Sequence, residues 1–370
     1  MKREGLPILT VLRFPAALSI VFFHYFLALK FPIANYVGLA SGVSFFYVLS
    51  GFILYYNYED LRDCGYFWIH RFARIWPVHV VTLGMAFLVL PFDHLLGHAH
   101  WPITLPVNLL LLHSWLPFHG SSLSYNGVSW SLSVEAFFYI CFPWLLVAMK
   151  KYGPTPALVG SFVVGLLLVV LVNHLKPDEP GFGSYNPACR LFEFVLGMAT
   201  CHLWFKTSPR AERGTRWSAY EAFATIFALG LIFSARPILV LMELSTPLGE
   251  WFGGAFTACS FALLIWVFAH QAGAISKALS MPFLVLLGEV SFAMYMCHQM
   301  LIRHLLLNHE DDTDFSRTWG IFATYMGLVF VVAFLLFYVV ETPARKMIVR
   351  AYKKWRTGKD APAEIHGPRV

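Results

Sequence analysis

The chain has 370 residues, of which 58% are hydrophobic and only 13% carry a charged side chain. This composition excludes an ordinary soluble domain and is typical of a polytopic helical membrane protein. The formal net charge of +6 comes mainly from basic residues between the apolar segments, so it indicates contact with anionic lipid headgroups and argues against nucleic acid as a partner.

Ten apolar segments each approach the ~20 residues that a bilayer-crossing helix needs. They lie at 7–29, 38–56, 76–92, 128–149, 156–174, 187–205, 218–235, 251–270, 282–307 and 318–340. The sequence therefore predicts an all-α, polytopic membrane protein with about ten transmembrane helices. A further apolar stretch, 101–116, ends at Pro117 and is predicted to be interfacial or re-entrant.

The basic residues predict the orientation of these helices. With the N-terminus in the cytoplasm, twenty of the 27 Lys and Arg residues fall on inner segments, whereas the long outer connection 93–127 has none. The twenty are Lys2, Arg3, Arg62, Arg71, Arg74, Lys150, Lys151, Lys206, Arg210, Arg213, Arg216, Lys277, Arg345, Lys346, Arg350, Lys353, Lys354, Arg356, Lys359 and Arg369. Because cytoplasmic loops are enriched in Lys and Arg, we expect both termini in the cytoplasm.

The domain organisation is expected to be simple. Residues 1–346 are predicted to form one membrane domain, and 347–370 a basic cytoplasmic tail. The first segment is too long and too charged for a cleaved signal peptide, so we expect an uncleaved signal anchor. The six cysteines show neither a paired nor a metal-type spacing, so we interpret them as packing residues and expect no metal.

The first predicted span contains two ionisable residues, Arg13 and His24. Such side chains are expensive inside hydrocarbon and usually face a protein interior or an aqueous pathway. Eleven residues separate them, about three helical turns, so they share one helix face, with Arg13 nearer the inner side. Snorkelling of Arg13 and a purely structural His24 remain alternatives.

A second polar cluster, Arg71 and Arg74, precedes the third predicted span. Three residues apart, the two guanidinium groups share a helix face and can bind phosphate. The alternative is a positively charged membrane anchor beside the interfacial residues Trp68 and Trp76.

The third cluster, NGVSWSLSVEAFFY, opens the fourth predicted span and contains Glu135. Glu135 and His24 are predicted at similar depths in the outer leaflet, so they could meet. A carboxylate beside an imidazole fixes its tautomer and stabilises the imidazolium ion. The alternative is a structural pair that joins two helices.

Other polar residues within the spans give weaker signals. Arg190 and Glu193 are three apart and could pair with each other. His298 is predicted at the depth of His24 and is a candidate supporting or substrate-side group. Glu341 is expected to anchor Arg345 or a helix end.

Together these residues resemble membrane acyltransferase family 3, whose bacterial members O-acetylate extracytoplasmic acceptors. The similar motifs, in chain order, are Arg13 with His24, FYVLSGF at 46–52, Arg71 with Arg74, Trp130-Ser131-Leu132 with Glu135, LGEVSFAMYMCH ending at His298, and ETPARK from Glu341. Many members have an aspartate where this chain has Ser44, so a role for that aspartate does not transfer.

The resemblance implies an O-acyltransferase of the bacterial inner membrane. Acetyl-CoA would dock from the cytoplasm on Arg71 and Arg74, with Arg13 as a further donor-binding residue. The acceptor, a lipopolysaccharide O-antigen or another surface polysaccharide, would arrive from outside. His24 is expected to be the general base, oriented by Glu135.

Four residues are expected to assist the acceptor or the oxyanion: Trp130, Ser131, His298 and Arg190. Direct transfer and a covalent acyl-histidine relay both remain open. The competing hypothesis is a proton-coupled transporter or flippase for a sugar or an anion, since buried Arg, His and Glu suit that function as well. Against it, the sequence shows no duplicated halves.

Overall fold

The computed structural model describes residues 5–31, 38–91, 101–116, 120–175, 182–207, 215–241, 246–307 and 315–357. Within these ranges the chain forms helices joined by turns, and it contains no β-strand. The predicted all-α class is confirmed.

The long helices coincide with the predicted spans. They and the shorter helices between them are α1 (Pro7–Val11), α2 (Arg13–Ala28), α3 (Gly42–Tyr58), α4 (Cys64–Val89), α5 (Trp101–Leu109), α6 (Trp130–Tyr152), α7 (Pro154–Leu175), α8 (Leu191–Thr207), α9 (Thr215–Leu241), α10 (Thr246–Ala269), α11 (Ala274–Leu279), α12 (Pro282–Leu307), α13 (Phe315–Leu335) and α14 (Thr342–Thr357). In the described part of the chain, nine helical segments are long and apolar enough to cross a membrane. With α8, which has 17 residues, they account for the ten predicted spans. At nine residues, α5 is far shorter than a span.

Helix α4 begins twelve residues earlier than the apolar run suggested. Asp63 caps its first turn, because Asp63 Oδ1 accepts a hydrogen bond from the amide of Tyr66 at 3.0 Å. The helix also continues through Pro77. Arg71 and Arg74 therefore lie within the spanning helix itself, on the same rigid element as its apolar part.

Two pairs of helices approach each other at backbone distance. Added Cβ atoms would lie 2.0 Å from the Phe194 carbonyl oxygen at Gly51 and 1.9 Å from the Val48 carbonyl oxygen at Gly197. Gly288 of α12 approaches the carbonyl of Thr10 in the same way, at 2.0 Å. Small residues allow this close helix packing in membranes. The contacts fix α3 against α8, and α1 against α12.

The last helices form one nearly continuous rod. A π-helical segment, Leu336–Glu341, joins α13 to α14, and α14 extends to Thr357. Such π segments occur frequently at functional sites. The helix crosses the predicted boundary at residue 346, so the division into a membrane domain and a basic tail stays a prediction. Residues 358–370 lie outside the described ranges.

Candidate active site

A cavity lies among α2, α3, α4, α6 and α12, and four charged residues line it: Arg13, Arg71, Arg74 and Glu135. Its space, including the part open to solvent, is about 870 Å³. The remaining lining is largely apolar and aromatic, with Phe292 and Tyr295 from α12. The cavity therefore combines charged side chains with apolar walls, which suits a ligand that is partly anionic and partly apolar.

Arg13 is only 8% exposed and is the first of the three cations in this cavity. It forms no hydrogen bond or ion pair with the part of the chain that the structure describes. The charges of Arg74, Glu341 and Glu135 act on it from a distance. A buried, unpaired guanidinium is costly, so this residue points to an anion in the cavity.

Arg71 is half-buried and also has no carboxylate partner among the described residues. Its Nη2 atom donates to the Tyr58 hydroxyl at 3.4 Å. Its guanidinium lies over two aromatic rings, those of Tyr58 and Tyr139, at 5.5 and 5.9 Å from the centroids. These neutral contacts orient the cation and leave its charge available to a ligand.

Arg74 differs from Arg71, because it is already paired. Its Nη1 atom lies 2.7 Å from Oε1 of Glu341, and the two side chains are 13% and 1% exposed. Glu341 is expected from the sequence to anchor Arg345 or a helix end, whereas the structure pairs it with Arg74. The π segment that ends at Glu341 carries the carboxylate back into the bundle. Arg71 and Arg74 do not behave as a surface anchor, since both line the cavity.

Glu135 is held by two hydroxyl groups, one from α3 and one from the next turn of its own helix. Its Oε1 atom accepts hydrogen bonds from Ser50, at 3.4 Å, and from Tyr139. Tyr139 follows Glu135 by four residues on α6, whereas Ser50 comes from α3, so the carboxylate links two helices. The carboxylate therefore belongs to the wall of the arginine-lined cavity.

His24 lies next to His298, and the two rings form a histidine pair across α2 and α12. The Nδ1 atom of His24 is 3.1 Å from Nε2 of His298, and the ring centroids are 4.9 Å apart. His298 is fully buried, and its Nδ1 atom is 2.6 Å from the carbonyl oxygen of Tyr295. The common depth predicted for the two histidines thus corresponds to direct contact.

The hydrogen-bond partners assign the proton positions on both rings. A carbonyl oxygen only accepts, so Nδ1 of His298 carries the proton and Nε2 of the neutral ring is an acceptor. Nδ1 of His24 faces that acceptor and also the carbonyl of Ile20, at 3.0 Å, so it carries a proton too. The lone pair of His24 is then on Nε2, the atom able to act as a base.

The predicted direct pairing of His24 with Glu135 is wrong in this structure. His24 bonds Ile20 and His298, whereas Glu135 bonds Ser50 and Tyr139. The depth of a residue along its helix does not determine which helices are neighbours. The side chain that orients His24 is a histidine of α12, in the position where a carboxylate was expected.

Tyr295 connects the cavity with the histidine pair. Its ring lines the cavity, while its backbone carbonyl accepts a hydrogen bond from Nδ1 of His298. The Tyr295 hydroxyl donates towards the Val128 carbonyl and the Ser131 hydroxyl, at 3.0 and 2.9 Å. Tyr295 and His298 therefore form a chain of contacts from the cavity wall to the candidate base, His24.

The two nominated oxyanion donors have different surroundings. Ser131 lines the cavity, but its hydroxyl donates to the Val128 carbonyl at 3.0 Å, so that proton is engaged. Trp130 packs against Tyr47 and Tyr185, with ring centroids 6.4 and 4.9 Å away. Neither contacts His24 in the structure.

Arg190 lies away from the cavity wall and is paired, as one interpretation of the sequence allowed. Its Nη1 atom is 3.0 Å from Glu193 Oε1, and its Nη2 atom donates to the Ser44 hydroxyl at 3.1 Å. The guanidinium also lies over the ring of Tyr47, at 5.4 Å. Arg190 therefore contacts one wall residue, Tyr47, without reaching the cavity.

Sequence analysis missed Tyr139, Ser50 and Tyr295 as parts of the site. Tyr139 had a usable signal, its position one turn after Glu135. Ser50 and Tyr295 lie in the motifs at 46–52 and 287–298, but their roles depend on which helices pack together. In the described ranges, no group of three or more His, Cys, Asp or Glu side chains has the arrangement of a metal site.

The chain is similar to known proteins over almost its entire length. Residues 6–338 match the family described as "Acyltransferase domain". "Acyltransferase MdmB" of Streptomyces mycarofaciens is 32% identical over 383 residues, which cover 93% of each chain. No solved structure matches.

Two further relatives are longer proteins. A "Putative peptidoglycan O-acetyltransferase" of Bacillus subtilis is 26% identical, with 95% of this chain and 58% of the relative covered. A "Putative O-acetyltransferase" of Staphylococcus aureus is 25% identical, with 96% and 60% covered. This chain thus spans about 60% of the length of these two relatives.

Proposed function

Because the chain belongs to the acyltransferase domain family, we propose that it transfers an acetyl group from cytoplasmic acetyl-CoA to a hydroxyl of an extracytoplasmic glycan. The acceptor class is a lipopolysaccharide O-antigen or another cell-surface polysaccharide, and a peptidoglycan-like glycan is included because one relative carries that name. The protein carries out this reaction in the bacterial inner membrane. The family match favours this activity over the transporter or flippase.

The observation that supports the donor is the set of arginines in the cavity. Arg13 and Arg71 have no carboxylate partner among the described residues, and Arg74 has free N–H groups beyond its contact with Glu341. Guanidinium groups bind phosphate oxygens bidentately. The apolar remainder of the lining suits the pantetheine arm and the acyl chain of acyl-CoA.

The chemistry is assigned to His24. Arg13 and His24 are eleven residues apart on the continuous helix α2, about 16 Å along its axis. The phosphates and the reacting thioester of one extended donor can therefore occupy the two positions. In this proposal the thioester reaches His24 past the ring of Tyr295.

The reaction is written as a single transfer. Nε2 of His24 takes the proton of the acceptor hydroxyl while its oxygen attacks the thioester carbonyl. The tetrahedral intermediate collapses, the carbon–sulfur bond breaks, and the proton passes from His24 to the leaving thiolate. The products are the O-acetyl ester and free CoA. His298 accepts from Nδ1 of His24 throughout and stabilises the imidazolium form.

The test uses purified full-length protein and the acceptor glycans of its host. We expect release of CoA from acetyl-CoA with added glycan, and O-acetyl groups on glycans only from cells that contain the protein, by mass spectrometry. The His24→Ala protein should give neither signal. Identical glycans with and without the protein, together with no CoA release, would refute the proposal.

A further inference from the structure

Helix α14 lies antiparallel along the first turns of α4, and contacts at both ends define its register. They are the ion pair of Glu341 with Arg74, the Tyr352 hydroxyl against Gly65, the Lys353 ammonium over the Tyr66 ring, and the ion pair of Arg356 with Asp63. Residue numbers rise along α14 as they fall along α4, so the two helices form one regular pair.

The pair is tightly packed at Gly65. A Cβ atom there would lie 2.8 Å from the Tyr352 hydroxyl, so no larger residue fits without a shift. Salt bridges close both ends of the contact. The part of α14 between these ends therefore lies alongside the turns of α4 that carry Arg71 and Arg74.

Arg345 occupies the middle of this seam, one turn after Glu341. The charges of Arg71, Arg74, Glu341 and Glu289 act on it, and its own charge acts on His70. Arg345 is half-buried, and it forms no hydrogen bond or ion pair with the residues that the structure describes. The register of α14 on α4 thus places a third arginine beside the turn of α4 that carries Arg71 and Arg74.

Three arginines converge here, and Glu341 is the carboxylate that pairs with one of them. The positive charges of neighbouring arginines repel each other, so an anionic ligand with several negative groups would stabilise this cluster. Coenzyme A has three phosphates, two in its diphosphate and one on its ribose. A shorter phosphopantetheine thioester has one.

We propose that Arg345 binds the ribose 3′-phosphate of the donor, so that the site selects complete coenzyme A over shorter thioesters. This inference rests on the proposed acyl-CoA-dependent function. Arg71 and Arg74 take the diphosphate at the cavity, and Arg345 takes the next phosphate along the α4–α14 seam. The shared chemistry, a phosphate monoester, also occurs in lipid headgroups, and the experiment separates the two sources.

The experiment compares acetyl-CoA with acetyl-3′-dephospho-CoA as donors for the full-length protein in nanodiscs. For the unchanged protein we expect a KM about tenfold or more lower for acetyl-CoA, the size of one charge-assisted contact. Arg345→Gln should raise the KM for acetyl-CoA to the value for the dephospho donor. It should leave kcat and the dephospho KM unchanged, and Arg345→Lys should restore part of the preference.

Arg350→Gln is the matched control, because Arg350 is an exposed residue of the same helix. It should keep the full preference for acetyl-CoA. Each protein is measured in nanodiscs of neutral lipid and of anionic lipid. An effect of Arg345→Gln that appears only with anionic lipid, and equally for both donors, would assign the residue to a lipid headgroup and overturn the inference.

Two other results would overturn it as well. Equal KM values of the unchanged protein for both donors would show that no residue reads the 3′-phosphate, while acetyl transfer itself would stand. Equal losses with both donors in Arg345→Gln would indicate a structural role. If no CoA thioester supports transfer, the proposed function fails, which is a separate and distinguishable outcome.

Discussion

The Nε2 atom of His298 lies 3.1 Å from Nδ1 of His24, and the carbonyl oxygen of Tyr295 lies 2.6 Å from the other nitrogen of His298. This chain of contacts sets one tautomer for both rings. It leaves Nε2 of His24 as the proton acceptor. In the proposed mechanism His298 is thus a positioning residue, since it would act on the reaction through His24.

The first prediction separates the roles of the two histidines. His24→Ala should abolish acetyl transfer, because it removes the base, whereas CoA should still bind at the arginines. His298→Leu should lower kcat by about the 10²–10⁴-fold associated with positioned acid–base groups, with little change in the donor KM. His298→Gln should recover part of the rate, since its amide oxygen can accept the proton of His24 Nδ1.

Steady-state kinetics over a range of pH measure this difference. A merely structural role of His298 would lower kcat equally in the Leu and Gln variants and leave the pH profile unchanged. Near-normal transfer by a folded His24→Ala protein would remove His24 from the mechanism.

The second prediction concerns Glu135, which the structure places in the cavity wall. Glu135→Gln retains an oxygen that accepts from Ser50 and Tyr139, so the fold should persist. Because the carboxylate is not a partner of His24, kcat at saturating donor should fall by less than about tenfold, well below a base-orienting effect. The donor KM should change, since the charge of the cavity changes. A kcat loss of 10²-fold or more would restore the link to His24 through a bridging water.

The membrane fold could be predicted from hydrophobicity because spanning helices must satisfy their backbone hydrogen bonds internally. The ten apolar segments therefore became the long helices. The start of α4 could not be predicted in this way, because the hydrogen bond from Asp63 begins the helix ahead of the apolar run. A polar cap leaves no signal in a hydrophobicity profile.

The candidate site could be predicted in its parts but not in its pairing. Ionisable residues at membrane depth identified Arg13, His24 and Glu135, since each is expensive in hydrocarbon. Which residue each one contacts depends on helix neighbours, and sequence periodicity does not encode them. Thus His24 contacts His298 instead of Glu135, and Arg74 contacts Glu341.

The third prediction concerns the contact of α3 with α8. Gly51→Ala should destabilise the protein by about 3 kcal/mol or more, the upper end of overpacking effects, because its new methyl group would meet the backbone of Phe194. A backbone oxygen cannot turn away as a side chain can. Gly160→Ala on α7 is the control, since nothing lies within 4 Å of its added carbon. Thermal unfolding in detergent measures both, and equal stabilities would contradict the packing.

The fourth prediction concerns His113, which lies outside the spans in a short 3₁₀ turn and is fully buried. Burial, with a smaller contribution from the charge of His79, lowers the pKa of His113 to about 3, although a hydrogen bond with the backbone of Ser129 opposes this. The unfolded chain has a histidine pKa of about 6.5, so it binds the proton first. The stabilisation is present above pH 6.5 and is lost as the pH falls towards 3.

Thermal unfolding between pH 8 and pH 4 tests this dependence. His113→Asn should show a shallower loss of stability on acidification than the unchanged protein. The exposed His174 provides the control, and His174→Asn should retain the original slope. Identical slopes for all three proteins would show that His113 is not the titrating group.

The last prediction distinguishes Arg71 from Arg74, which the sequence treated as equivalent. Arg71→Gln removes a cation that has no carboxylate partner among the described residues, so it should raise the donor KM while the protein remains stable. Arg74→Gln leaves the carboxylate of Glu341, only 1% exposed, without its partner. Loss of one member of a buried pair destabilises by roughly 3–5 kcal/mol. The double variant Arg74→Gln with Glu341→Gln removes both charges and should recover most of that stability, but not the donor KM.

Thermal unfolding and CoA binding by calorimetry measure the two effects separately. If Glu341→Gln fails to rescue the stability of Arg74→Gln, the ion pair does not hold α14 against α4. If the rescued protein binds CoA normally, Arg74 does not contact the donor.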